Sequence, residues 1–150
     1  MKKLLLVLMF TVLSFAQTIN IGDTLPTITL QDQFEKTHTI SSQNKRILVA
    51  HDKDAADVLK EFLLEKKGDF LTKNQTVYVG DISGMPSLIS KFFAIPKMKK
   101  YPFSILFLDD KNRNVFSKKE DMISVYTLEN GKIKNLSHIS TKEELIKVFN

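Results

Sequence analysis

A chain of 150 residues, 43% hydrophobic and 26% charged, has room for one domain with a real core and is not the composition of a disordered protein. The formal charge is +5; Lys2 and Lys3 supply two of these charges from a segment expected to be removed, leaving +3, a solubility bias rather than a nucleic-acid signature. There is no cysteine, which excludes disulfides, thiol catalysis, iron–sulfur clusters and thiolate zinc sites together.

Met1-Lys2-Lys3 is a short positive start, residues 4–15 are apolar, and Ser14-Phe15-Ala16 offers small residues where a signal peptidase requires them. A dozen residues span about 18 Å as a helix, short of a hydrocarbon core of roughly 30 Å. Residues 1–16 therefore read as a signal peptide cleaved after Ala16, with an uncleaved anchor as the alternative. Either way the remaining domain, 17–150, is expected outside the cytoplasm, in the periplasm or its equivalent, with no stable membrane span after cleavage.

Ile28 and Leu30 alternate with threonines, a half-buried strand preceded by Pro26. Residues 34–40 can pair back as a short second strand. Residues 47–50 are apolar without alternation, as in a strand covered on both faces. A helix follows over 54–67, with Asp54 as its cap, Asp57 in its first turn and a stripe of Val58, Leu59, Phe62 and Leu63. Gly68 suits a left-handed carboxyl cap. Thr76–Gly80 reads as the next strand, and strand-helix-strand implies a parallel crossover. A loop over 81–86 leads into a second helix with Leu88, Ile89, Phe92 and Phe93 on its buried face, stopped by Pro96. Residues 105–108 form another strand, 109–112 a turn, and Val115 and Phe116 anchor a short helical turn. Strands at 122–128 and 132–136 flank Asn130-Gly131, the dipeptide a tight hairpin prefers. Ser140 to Glu143 has a capping-box pattern opening a last helix with Leu145, Ile146, Val148 and Phe149.

Gly22-Asp23-x-x-Pro26-x-Ile28-x-Leu30-x-Asp32, then Tyr101-Pro102-Phe103-Ser104 through Asp109, then residues 123–133 with Glu129-Asn130-Gly131-Lys132 stand in that order along the chain. In this order they resemble the redoxin version of the thioredoxin fold, the peroxiredoxin and TlpA group. Lys99 to Ser104 is also similar to the YtfJ group of small exported redoxin-like proteins. The resemblance implies an α/β fold: a central mixed sheet flanked by helices, ending in a β-hairpin and a helix. Redoxins work through a thiolate near the start of the first helix, and no residue here replaces it. The proline that precedes the hairpin strand in thioredoxins is also missing, Glu120-Asp121-Met122-Ile123 occupying that stretch. Fold and location carry over; no catalytic residue does.

His51, Asp52, Asp54 and Asp57 form the sharpest polar cluster, at the strand end where open α/β sheets place ligand sites. Imidazole and carboxylates can hold a divalent metal or act as acid and base. The plainer account is helix capping with a hydrogen-bonded histidine. Lys97, Lys99 and Lys100, with Tyr101 and Pro102, form a basic, aromatic loop suited to an anionic partner, a lipid headgroup or peptidoglycan; Tyr101–Pro102 is a candidate cis peptide. His38 and His138 stand alone. Asp109-Asp110-x-Asn112 lacks the glycine and distal glutamate of a calcium loop, and there is no phosphate-binding glycine loop or serine nucleophile motif. No cofactor and no metal is implied.

These observations lead to an exported, cysteine-free thioredoxin-like protein that binds without catalysing, its partner a protein of the envelope. The alternative is a metal-assisted or acid–base enzyme centred on His51. A subunit that depends on a partner would show a large exposed apolar patch.

Overall fold

Residues whose side chains alternate along a strand must satisfy two different surroundings, and here both are apolar. Ile47 and Val49 of β3 (Arg46–Ala50) enter one core, while Leu48 and Ala50 enter the other. The computed structural model describes residues 17–150; the expected signal peptide, 1–16, lies outside them. Around β3 a seven-stranded mixed sheet forms in the order β2-β1-β5-β4-β3-β6-β7. Its other strands are β1 (Ile28–Asp32), β2 (Thr37–Ile40), β4 (Thr76–Gly80), β5 (Leu106–Phe107), β6 (Ile123–Glu129) and β7 (Lys132–Ile139). β3 pairs with β4, and β4 with β5, in parallel; the remaining pairs are antiparallel. The parallel crossover expected between β3 and β4 is present.

One face is covered by α1 (Lys53–Leu64), α2 (Phe70–Lys73) and α5 (Lys142–Val148), which bring Leu59, Phe62, Leu63, Leu71 and Leu145 onto Leu48, Tyr78 and Ile123. Among the described residues no helix covers the other. There Ile19 and Leu25 from the amino-terminal segment, with Val115 and Phe116 from a turn, close over Ile28, Ile47, Val79 and Tyr126. The segment 22–25 is held by the hairpin, since the Leu25 amide donates to Gly131 and the Ile133 amide to Asp23. At the hairpin tip Asn130 and Gly131 both take positive φ, 52° and 75°, as a tight turn between twisted strands demands.

Four local expectations need correction. Helix α1 begins two residues earlier than its pattern suggested: Asp52, not Asp54, is the cap and accepts from the Ala55 amide at 3.0 Å. The same helix ends at Leu64 by tightening, with the Glu65 and Lys66 amides donating three residues back, so Gly68 is no left-handed cap. A Cβ on Gly68 would instead lie 2.9 Å from the Pro102 carbonyl, so a close approach of two backbones explains that glycine. The carboxyl-terminal capping box is Thr141 with Glu144, one residue later than expected. The Tyr101–Pro102 peptide is trans.

The largest difference is the second helix. Pro96 does not stop it. A helix runs through α3 (Ser87–Ile89), a π turn (Ser90–Ala94) and α4 (Ile95–Met98). Proline lacks the N–H for the α ladder, and its ring strikes the carbonyl four residues back. The π turn lets the chain pass: the Ile95 amide donates to Ser90, five residues back, just before Pro96. No residue of this helix is buried. Leu88, Ile89, Phe92 and Phe93, expected inside, are 68%, 49%, 61% and 71% exposed. Ser90, Ala94, Ile95 and Met98 instead form its half-buried side.

Candidate functional site

Strands β3 and β4 run in parallel with Ala50 opposite Gly80, so His51 and Asp81 stand side by side one residue beyond their ends. His51 is buried; its Nδ1 lies 3.3 Å from Asp81 Oδ2. Asp81 is fixed in turn, its Oδ1 accepting from the Ser83 amide at 2.9 Å and the Ser83 hydroxyl at 2.6 Å. Burial pushes the Asp81 carboxyl up, but Ser83 and the His51 ring outweigh it and hold the carboxyl below the usual carboxylate range. His51 Nε2 is buried with no hydrogen-bond partner. It is the sole such side-chain atom among the described residues.

The two residues border a cleft of ≈ 500 Å³ between the strand ends, α1 and the inner side of helix 87–98. Most of its lining is apolar, including Ala56, Ile82, Met85, Ala94 and Met98. Its size and character are those of a small-molecule or side-chain site. Tyr78 lies on its lining, and burial lifts that hydroxyl far above a free phenol, so it stays neutral. Tyr101 stacks on Phe103, ring centroids 5.3 Å apart, and borders the same cleft.

The residues singled out in the sequence are thus partly gathered and partly dispersed. His51, Asp52, Asp57, Lys97 and Tyr101 all reach the cleft, joining two stretches 40 to 50 residues apart. The carboxylates do not gather on the histidine. Asp52 caps α1 and also accepts from the Asp121 amide at 2.8 Å, tying the helix start to the approach of β6. Asp57 is neutralised by Lys53 at 2.7 Å and Lys60 at 2.8 Å, which hold its carboxyl below its ordinary value. Asp54 lies outside the cleft, near Asp121, whose carboxyl is pushed up by partial loss of water and by the negative charges of Asp54, Asp52 and Glu120. Among the described residues no three His, Asp or Glu side chains converge as metal ligands. Lys99 and Lys100 are exposed outside the cleft, and Pro102 borders a separate depression of ≈ 340 Å³ with His38 and Gly68. Neither of the two other histidines is alone: His38 meets Asp32 at 2.7 Å and His138 meets Ser124 at 3.1 Å.

Sequence reasoning set residues 80–86 beside residues 51–57 as one candidate surface but did not single out Asp81, and it missed Gln33. Asp81 was legible in principle, since equal strand lengths before His51 and Asp81 put them level. Gln33 left no local signal. It is buried at the end of β1, donates to the Phe103 carbonyl at 2.7 Å and the Met98 carbonyl at 3.2 Å, and accepts from the Ile105 amide at 2.8 Å. One side chain thereby holds the loop that carries Tyr101.

No protein-family profile matches this chain, and no curated protein matches it. Solved structures do. The thioredoxin domain of a thiol-disulfide oxidoreductase from Bacteroides vulgatus is similar over 88% of this chain and 99% of its own, with TM-score 0.51 and 13% identity. A thiol:disulfide interchange protein from Bacteroides sp. is similar over 87% and 90%, with TM-score 0.51 and 13% identity. A peroxiredoxin-like protein from Aquifex aeolicus is similar over 89% and 88%, with TM-score 0.51 and 8% identity. The fold is thioredoxin-like, of the redoxin type. The chain has that scaffold without any cysteine, so thiol chemistry of its own is excluded.

Proposed function

We propose that this chain is an exported thioredoxin-like protein that binds without catalysing, and that the cleft beside His51 is where it binds. The observation that carries this reading is the 500 Å³, mostly apolar cleft that His51 lines, together with the buried Nε2 of that ring, which has no hydrogen-bond partner. The lining suits a ligand with an apolar body, and a small turn of the His51 ring on binding would let one hydrogen-bonding group recover about 1–3 kcal/mol, the cost of an unsatisfied buried atom. An apolar side chain of an envelope protein, with its adjacent backbone amide or carbonyl, has that chemistry. Export rests on residues 1–16, and the similarity of Lys99 to Ser104 to the YtfJ group supports the same location.

The test is cross-linking in the cell envelope followed by affinity purification of wild type and of Ala94→Phe, which fills the cleft from helix 87–98. A protein recovered with wild type and lost with Ala94→Phe and His51→Ala supports the reading. Equal recovery by all three overturns it. Mass spectrometry of the purified chain reads export directly, a start at Gln17 being the expected result.

One specific observation favours a second reading. Asp81 beside Nδ1 fixes the orientation of the His51 ring at the edge of the cleft, the arrangement of an acid–base pair. A turnover by the purified protein that His51→Ala abolishes would replace binding by catalysis.

A further inference from the structure

The outer side of helix 87–98 has no role in the cleft. Leu88, Ile89, Phe92 and Phe93 line none of it, yet expose roughly 400–500 Å² of apolar side chain together. A helix normally turns such a stripe onto the core. Here the core side is taken by Ser90, Ala94, Ile95 and Met98, and the stripe faces out. Along the chain on either side of it the charge is of one sign. From Ile82 to Leu108 there is no acidic residue, while Lys91, Lys97, Lys99 and Lys100 are all exposed. Lys91 Nζ lies 5.8 Å from the Phe92 ring, so cation and aromatic group share one surface.

We infer that the outer side of helix 87–98 docks on an anionic lipid surface, with Leu88, Ile89, Phe92 and Phe93 entering the headgroup–acyl boundary and Lys91, Lys99 and Lys100 meeting lipid phosphates. Composition decides for lipid over protein. Phenylalanine and leucine beside lysine is the pattern of a helix lying in a membrane interface. Protein interfaces take phenylalanine too, but they add tryptophan, tyrosine and arginine and are depleted in lysine, so the lysines decide. A second copy placed face to face would bring the same lysines together. No described helix is long and apolar enough to cross a membrane, so the contact is a surface one. The inference goes beyond the cleft reading and uses none of the cleft's residues.

The absence of cysteine allows a clean test, because one introduced thiol takes a label at one place. An environment-sensitive fluorophore is placed on Ser87→Cys, beside the stripe, and separately on Asn135→Cys, exposed on the edge strand β7. The full chain is titrated with vesicles of phosphatidylglycerol and phosphatidylcholine, and with phosphatidylcholine alone. The expected result is a blue shift at position 87 on the anionic vesicles, absent at position 135 and on neutral vesicles. Phe92→Ser with Phe93→Ser abolishes it. Lys91→Gln with Lys99→Gln and Lys100→Gln, which leaves the apolar stripe whole, weakens partitioning on the order of 100-fold at low salt. Circular dichroism confirms that both variants are folded. No shift at 87, or an equal shift at 135 or on neutral vesicles, overturns the inference. So does a shift that needs a soluble envelope extract, which assigns the face to a protein, or one that grows with protein concentration without lipid, which assigns it to a second copy. Ala94→Phe leaves the lipid response unchanged, so the failure of either reading is told from the failure of the other.

Discussion

Replacing Gln33 by leucine removes a polar side chain of similar length without opening a cavity. The Ile105 amide and the Phe103 carbonyl, bonded to Gln33 at 2.8 Å and 2.7 Å inside the protein, lose their partners. The Met98 carbonyl, at 3.2 Å and only partly buried, can turn to water. Two orphaned buried groups cost about 1–3 kcal/mol each. The added apolar surface returns about 1 kcal/mol, so the net loss is about 3 kcal/mol. For a domain of this size that lowers the melting temperature by about 10 °C. Urea unfolding followed by circular dichroism gives the free energy, and hydrogen exchange at the Ile105 amide locates the damage. Because Met98, Tyr101 and Ile105 all border the cleft, the cleft should loosen with the loop. A loss under 1 kcal/mol with Ile105 still protected would refute the argument that one glutamine holds this wall.

Gly68→Ala is expected to cost about 1–3 kcal/mol, because its Cβ would meet the Pro102 carbonyl at 2.9 Å; unfolding curves report it, and an unchanged midpoint would mean the two backbones separate freely. Asp32 is one of the carboxyls that contribute to the acid limb of stability. Burial pushes its carboxyl up, but His38 and the amides of Phe34 and Lys36 outweigh this and hold it below the ordinary 3.8. A carboxyl depressed by folding stabilises above its unfolded value, and that contribution is lost as pH falls through its folded one. Asp32→Asn keeps an acceptor for the two amides and removes the titration, so its stability should fall less steeply below pH 3.8 than that of wild type.

The elements that came straight from the sequence are those whose pattern is local. Residues 76–80 read as a strand because apolar and β-branched residues run together between turn signals, and Asn130-Gly131 announced its hairpin through backbone geometry alone. The helix at 87–98 shows the limit. Its apolar spacing was legible, but periodicity identifies a stripe without saying which side of the helix the rest of the molecule occupies. Four large exposed residues therefore read as core. For the carboxylates near His51 the plainer account held in kind: one of them caps the helix, Asp52 rather than Asp54, two lysines take Asp57, and His51 is hydrogen-bonded, to Asp81. The pairing of His51 with Asp81 follows only once β3 and β4 are aligned in parallel, and the reach of Gln33 across some 70 residues is a tertiary fact that no window along the chain contains.

The π turn gives this helix an unusual sensitivity to length. A π turn holds one residue more than the α turn it replaces, so a deletion of one codon within Ser90–Ala94 would restore the α register. Everything before the deletion would then turn by about 100° relative to everything after it. Leu88 and Ile89 would swing away from their present outward direction while Ala94 and Met98 kept the cleft wall. Loss of a single residue would thus turn the first half of the helix against the second, moving Leu88 and Ile89 together with the Met85 side of the cleft while Ala94 and Met98 stay in place, so the outward stripe and the cleft are tied to one helical register.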